Sequence, residues 1–240
     1  MNDIHIVYHI CCMGDGYWRY VFNTQISYFL NETLNISILG TDMDVSYVLK
    51  RCQELNIQVH IIHTSTNFKE YEHKALTYLD ENARKHEGIS IYLHTKGVSQ
   101  PKNKFKFRWR EYIHIHFLRH WKKMATQLFA SNFNTCGALF LRDTENYCLT
   151  LNKPFEYFAG NIWMAKNSYI RSLVEYKKYI TESDRYLAES WIGEGNIQPL
   201  YIDQDAPLDS GFRKKFNYLK LKTFFKTYFI YYRFKVFKNL

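Results

Sequence analysis

Apolar residues fall in short, dense runs separated by longer stretches of helical spacing. Ile4 to Ile10 (IHIVYHI) is a β-rich run that ends near Gly14 and Gly16, the pattern of a buried strand entering a turn. Tyr17 to Leu30 places Val21, Ile26 and Phe29 at helical spacing. Asn35 to Leu39 is a second strand, closed by Gly40-Thr41-Asp42, and Asp44 or Ser46 caps a helix running to about Leu55. Ile57 to Ile62 is a third strand, and a helix follows from about Lys69 to His86. Gly88 ends it, and Ile89 to Leu93 is a fourth strand. The β-α-β-α-β-α-β order with short connections predicts an α/β fold, a mostly parallel sheet with helices on both faces.

Beyond residue 97 the rhythm changes. Gln100 to Lys106 is a polar, basic loop, and Arg108 to Phe129 predicts one long aromatic helix. Strands are predicted at Thr135 to Leu141 and Phe155 to Ala159. Helices follow near Ser168–Tyr176 and Glu182–Trp191, and Ile197 to Ile202 is a last strand. The chain has four prolines and no low-complexity linker before residue 207, so residues 1–210 read as one body without repeats.

Composition adds two exclusions and one division. With 46% hydrophobic and 18% aromatic residues the body fills a large core, which excludes intrinsic disorder. Of 32 Lys+Arg, nine lie between Gly211 and Leu240, a stretch with no acidic residue; the remaining 23 balance the 23 Asp+Glu. The formal charge of +9 therefore belongs to a 30-residue basic, aromatic tail, and the body is neutral. Cys11, Cys12, Cys52, Cys136 and Cys148 show no metal-ligand spacing and read as reduced thiols of a cytosolic protein. Asp3 and His5 interrupt the first apolar run, so no secretory signal is expected, and no run reaches the roughly 18 apolar residues of a spanning helix.

The densest candidate chemistry is Ile91-Tyr-Leu-His-Thr-Lys-Gly-Val98. His94 and Lys96 lie two apart at the carboxyl end of a strand and project to the same side. Gly97 permits a positive φ. A lysine beside exposed amides there anchors a diphosphate; a strand that simply ends in a polar turn fits equally well. His114-Ile-His116 is not a metal pair, because i, i+2 spacing puts the rings on different helix faces.

Together with Arg108-Trp109-Arg110 and Phe158-Ala-Gly160-Asn161-Ile-Trp163, this stretch resembles glycosyltransferases of the GT-A fold. It is most similar to small bacterial and large-DNA-virus members with an H-[TS]-K-G strand end and a G-N-F-W-W segment. The opening strand with Tyr8-His9 and the run Arg185-Tyr-Leu-Ala-Glu189-Ser-Trp191-Ile-Gly193 extend the likeness over about residues 4–202. The resemblance implies a GT-A-like, Rossmann-like sheet and sugar transfer from a nucleotide-sugar donor, UDP-sugars favoured, to a glycan or lipid-linked saccharide during surface polysaccharide synthesis. It implies donor contacts from His9, Asp42, Asp44, His94, Lys96 and Gly97, and acceptor contacts from Gly160, Asn161, Trp163 and Trp191. A non-catalytic nucleotide-sugar or glycan-binding module of the same fold is the alternative.

Two departures bear on chemistry. Where many relatives carry Asp-x-Asp to hold Mn2+ or Mg2+, the chain reads His94-Thr-Lys96, which leaves the metal open. Asp42-Met-Asp44 and Asp203-Gln-Asp205 are the two other such strings, and a helix cap at Asp44 and a surface turn at 203–205 account for them equally. Met164 stands where a second tryptophan is usual. An inverting transfer needs a carboxylate to take the acceptor proton, and Glu189 is the first choice, with Asp184 second. Glu189 fits a surface pair with Arg185 just as well, and large aromatics in so aromatic a chain are more often core.

If residues 213–238 are helical, Leu221, Phe225, Tyr228 and Tyr232 form an apolar stripe beside Lys215, Lys222, Lys226 and Arg233. Such a helix suits an anionic membrane surface, at about 1 kcal/mol per basic residue. The expectation is a cytoplasmic enzyme held peripherally on the membrane face, with no nucleic-acid partner.

Overall fold

The computed structural model describes residues 3–13, 15–95, 97–99, 102–147, 154–180 and 187–201. The chain divides into two units, Met1–Asp203 and Gln204–Leu240. The second unit, and with it the tail helix expected over 213–238, lies outside the described residues.

The first half alternates strictly: β1 (Ile4–Cys11), α1 (Tyr17–Ile26), β2 (Thr33–Leu39), α2 (Asp42–Glu54), β3 (Gln58–Ser65), α3 (His73–Lys85) and β4 (Ile89–His94). The second half is choppier. It contains α4 (Lys104–His116), α5 (Trp121–Ala130), β5 (Thr135–Gly137), β6 (Phe140–Tyr147), β7 (Pro154–Phe158) and β8 (Trp163–Lys166), then α6 (Asn167–Ser172), α7 (Tyr176–Tyr179), α8 (Leu187–Ser190) and β9 (Pro199–Tyr201). Seven strands form one sheet in the order β3-β2-β1-β4-β8-β5-β9, while β6 and β7 pair separately. Only β8 runs antiparallel within the large sheet. The fold is the expected α/β class, a mostly parallel Rossmann-like sheet flanked by helices.

The central strands β1, β2 and β4 are buried on both faces, as strands covered by helices on both sides must be. Alternation along β1 assigns the helices. Val7 packs with Ala75, Leu76, Leu79 and Ala83 of α3, whereas the Tyr8 hydroxyl donates to Gln25 of α1 at 2.5 Å. Tyr92, Trp163, Tyr176 and Trp191 enlarge the core on the α3 side.

Four expectations needed correction. The α2 cap is Thr41, whose hydroxyl accepts from the Asp44 amide while the Asp44 carboxylate accepts from the Thr41 amide; Asp44 is the reciprocal partner of a capping box. The helix expected over 108–129 is two helices. A tight turn at Leu118–His120 lets Phe117, Leu118 and Trp121 all bury, and the Trp121 indole donates to the Tyr28 carbonyl at 2.9 Å. Tertiary burial outweighs the continuous helical periodicity there. The strand expected over 135–141 is split at Leu139, where φ is 58°, into β5 and β6. Finally, a short strand, β8, begins at Trp163, the last residue of a stretch read only as a motif, and runs to Lys166.

Candidate functional site

The strand order reverses between β1 and β4. From β1 the chain turns outward through α1, whereas β3 returns to β4 through α3 on the other face. In open sheets of this kind the crevice outside the carboxyl ends at the reversal is where ligands bind. His9 of β1 and His94 of β4 are register partners across that boundary. The Thr95 hydroxyl accepts from the Cys11 amide at 2.9 Å and ties the two strand ends together.

Glu72 immediately precedes α3 and so stands at the carboxyl edge of the sheet, beside the reversal. One carboxylate oxygen, Oε2, accepts from the Tyr92 hydroxyl at 2.5 Å and from Asn161 Nδ2 at 2.8 Å, and lies 3.8 Å from His94 Nδ1. The other ring nitrogen of His94 donates to the Gly160 carbonyl at 2.8 Å. Asn161 continues the chain of contacts: Nδ2 also reaches the Ala188 carbonyl at 3.3 Å, and Oδ1 accepts from the Trp163 indole at 2.8 Å. His73 Nδ1 and the Tyr176 hydroxyl, 2.8 Å apart, extend the polar layer to α7. Glu72 and His94 are each 12% exposed, enough to meet a ligand yet largely removed from water.

The neighbours register that carboxylate. Burial holds the His9 imidazole down at about 4, against the pull of Glu72, so His9 is neutral at pH 7. Burial and then Glu72 push the Cys11 thiol up to about 11. Burial, the charge of Glu72 and the bond to it hold the Tyr92 hydroxyl well above the usual phenol range, with Glu189 contributing further.

Two glycines let the elements meet. Gly160, at φ 93°, sits beneath α4, where a Cβ would come within 2.7 Å of the Ile113 side chain. Gly97, at φ 79°, turns under Arg110, whose NH1 would be 3.6 Å from a Cβ there. Arg110 is buried. It donates to the Tyr17 hydroxyl at 2.6 Å, and its guanidinium lies 5.3 and 5.4 Å from the Tyr17 and Phe107 ring centres.

The remaining expected residues divide by burial. Asp42 is exposed and Asp44 is spent in its cap, with Arg19 at 3.5 Å; both stand beyond β2, on the same edge of the sheet as His9. Trp163 and Trp191 are fully buried, with indole N–H groups donated to Asn161 and to the Val174 carbonyl, so in this structure neither offers a ring face to a sugar. Asn161 is likewise fully buried with its amide engaged, which makes it a brace of the site rather than a hydroxyl binder in this conformation. Glu189 lies half-buried on α8. Lys96, Asp184, Asp203 and Asp205 lie outside the described residues. Glu72 and Tyr92 were not singled out by sequence, although a strand-end search beyond β3 leads to Glu72. Among the described residues no group of three His, Cys, Asp or Glu side chains is arranged to hold a metal.

Residues 19–214 match the model of a family described as "Domain of unknown function (DUF8361)". No curated relative matches the sequence. Among solved structures, 4-diphosphocytidyl-2C-methyl-D-erythritol synthase from Anaerococcus prevotii is similar at 10% identity with a TM-score of 0.41, over 86% of this chain and 90% of that one.

Proposed function

We propose that this chain, which belongs to the DUF8361 family, is a transferase of GT-A type that moves a sugar from a nucleotide-sugar donor to a glycan or lipid-linked acceptor. One observation carries the reading: motifs far apart in sequence meet at the carboxyl edge of the sheet. The strand-end His94 touches Gly160, Asn161 reaches Ala188 beside Glu189, and Arg110 stacks under the Gly97 turn. A core needs no such convergence of strand-end, turn and helix residues at the sheet reversal, whereas a ligand site does.

In this reading the donor lies over the carboxyl ends of β1, β2 and β4, near His9, Asp42, Asp44, His94 and the Gly97 turn. Lys96 balances the departing diphosphate, which becomes more negative as the bond to the sugar breaks. The acceptor enters beside the Gly160–Asn161 turn, with Trp163 and Trp191 supporting that wall from behind. A carboxylate there takes the acceptor proton, and Glu72 and Glu189 are the two candidates. The described residues do not fit a divalent ion at the strand end, since Asp44 is committed to its cap and the usual carboxylate pair is replaced by His94 and Lys96. No step here uses Mn2+ or Mg2+. The tail over 211–240 attaches the enzyme to an anionic membrane, a role supported by its charge and aromatic content alone. Among the described residues no helix is long and apolar enough to cross a membrane.

Release of nucleotide from a panel of UDP-, GDP- and CMP-sugars, with Mn2+, Mg2+ or EDTA, tests the reading. Release from at least one donor supports it. Binding without release under every condition favours the binding module instead, and neither binding nor release removes both.

A further inference from the structure

We infer that Glu72 is the general base of this site, the group that receives the acceptor proton; the inference rests on the transferase reading above. The step balances simply. The acceptor oxygen bonds to the anomeric carbon of the donor sugar as the carbon–oxygen bond to the diphosphate breaks. The hydroxyl proton passes to Glu72, and the electron pair of the broken bond leaves with the nucleoside diphosphate. Written as a single displacement, this step inverts the anomeric carbon.

Three observations select Glu72. It stands at the carboxyl edge of the sheet and accepts from Asn161 of the turn beside which the acceptor enters, so it lies on the acceptor side. Its orientation is fixed from two sides, by Tyr92 and His94 of β4 and by Asn161 of the turn before β8. A base must be held within hydrogen-bond reach of the proton it removes, and a carboxylate braced in this way loses little freedom when the hydroxyl arrives. Glu189 is carried on a helix of four residues beside a segment outside the described residues. Low exposure strengthens the charge interaction of Glu72 with a ligand. Glu72 is the only carboxylate oxygen donor-bonded to both Tyr92 and Asn161 among the described contacts, so the strand end and the acceptor turn are oriented through it.

The test uses the full chain and whichever donor the wild type cleaves, with water as acceptor. Glu72→Gln keeps the shape and the oxygen that accepts from Tyr92 and Asn161, and removes the basicity. We expect kcat to fall by about 100-fold or more, with UDP affinity by calorimetry changed by less than about 3-fold. Its acid limb in the pH–kcat profile disappears. Should Glu72→Gln fold poorly, Tyr92→Phe tests the same point: losing a donor to the carboxylate moves the acid limb to higher pH. Turnover within about 3-fold of wild type in Glu72→Gln overturns the inference while leaving the transferase reading intact. So does an acid limb unmoved in Tyr92→Phe, or one abolished by Glu189→Gln alone. A wild type that releases no nucleotide from any donor removes the reading and the inference together.

Discussion

The two ends of the sheet both bury polar side chains, but they use them in opposite ways. At the amino end, side chains cap backbone. The Asn167 amide donates to the carbonyls of His86 and Glu87 and accepts from Ser90; Arg84 and Arg171 donate to the carbonyls of Leu173, Ala83 and His86; Asn134 joins the Gln198 amide to the Asn196 carbonyl. These bonds satisfy the last carbonyls of α3 and the loops around β5 and β9. At the carboxyl end, side chains bond mostly to one another, and most of them ionise: Glu72 with Tyr92 and Asn161, His9 with Ser37, and His73 with Tyr176. Polar groups that saturate backbone hold a fold. Polar groups that bond among themselves beside a crevice hold charges in place, at a cost in desolvation that folding alone does not require.

The contrast makes its largest prediction in pH. His9, at about 4, and His114, held by burial and by Arg110 at about 3, both lie below the 6.5 of an unfolded histidine. The unfolded chain therefore binds more protons, so stability is complete above pH 6.5 and is lost as pH falls through the window down to those values. His9 alone costs about 3 kcal/mol by pH 4. Urea midpoints from pH 7 to pH 4 check this, and His9→Gln flattens the slope by up to about 1.4 kcal/mol per pH unit. Asn167→Ala at the amino end, which removes no titrating group, leaves the slope unchanged.

Next in size is Asn167→Ala, which strands Ser90 and two carbonyls at the amino end. It costs about 2–3 kcal/mol in urea unfolding and leaves nucleotide affinity untouched. If affinity falls as well, the two ends are not separable. Gly160→Ala forces a side chain at positive φ against Ile113 and destabilises by about 1–3 kcal/mol; here nucleotide release falls too, because His94 loses its fixed carbonyl partner. Smallest is Asp44→Ala, worth about 1 kcal/mol as a lost cap partner. Donor affinity unchanged in that variant confines Asp44 to the cap, and affinity lost by more than about 10-fold returns it to the donor site.

Strand and helix order in residues 1–97 was legible because each element there obeys one periodicity and the central strands are dense apolar runs. The second half was less so. One helix became two so that Trp121 could bury, and β8 at Trp163–Lys166 was missed because four residues carry too little pattern. The site was half legible. His94 and the Gly160–Asn161 turn announce themselves by glycine and strand-end position, and the structure brings them into contact. Glu72 does not, because nothing local distinguishes a glutamate ahead of a helix from a surface residue. Its place depends on α3 returning its amino end to β4, a long-range fact. The two tryptophans read as sugar platforms turned inward because their indole N–H groups found partners in Asn161 and Val174.

Backbone amide NMR on residues 1–240, titrated with UDP-, GDP- and CMP-sugars, tests the central claim most directly. The account predicts that one donor class shifts the signals of His9, His94, Gly97 and Gly160 and leaves Asn134, Asn167 and Gln198 in place. Shifts confined to the amino end, or none with any donor, would contradict it.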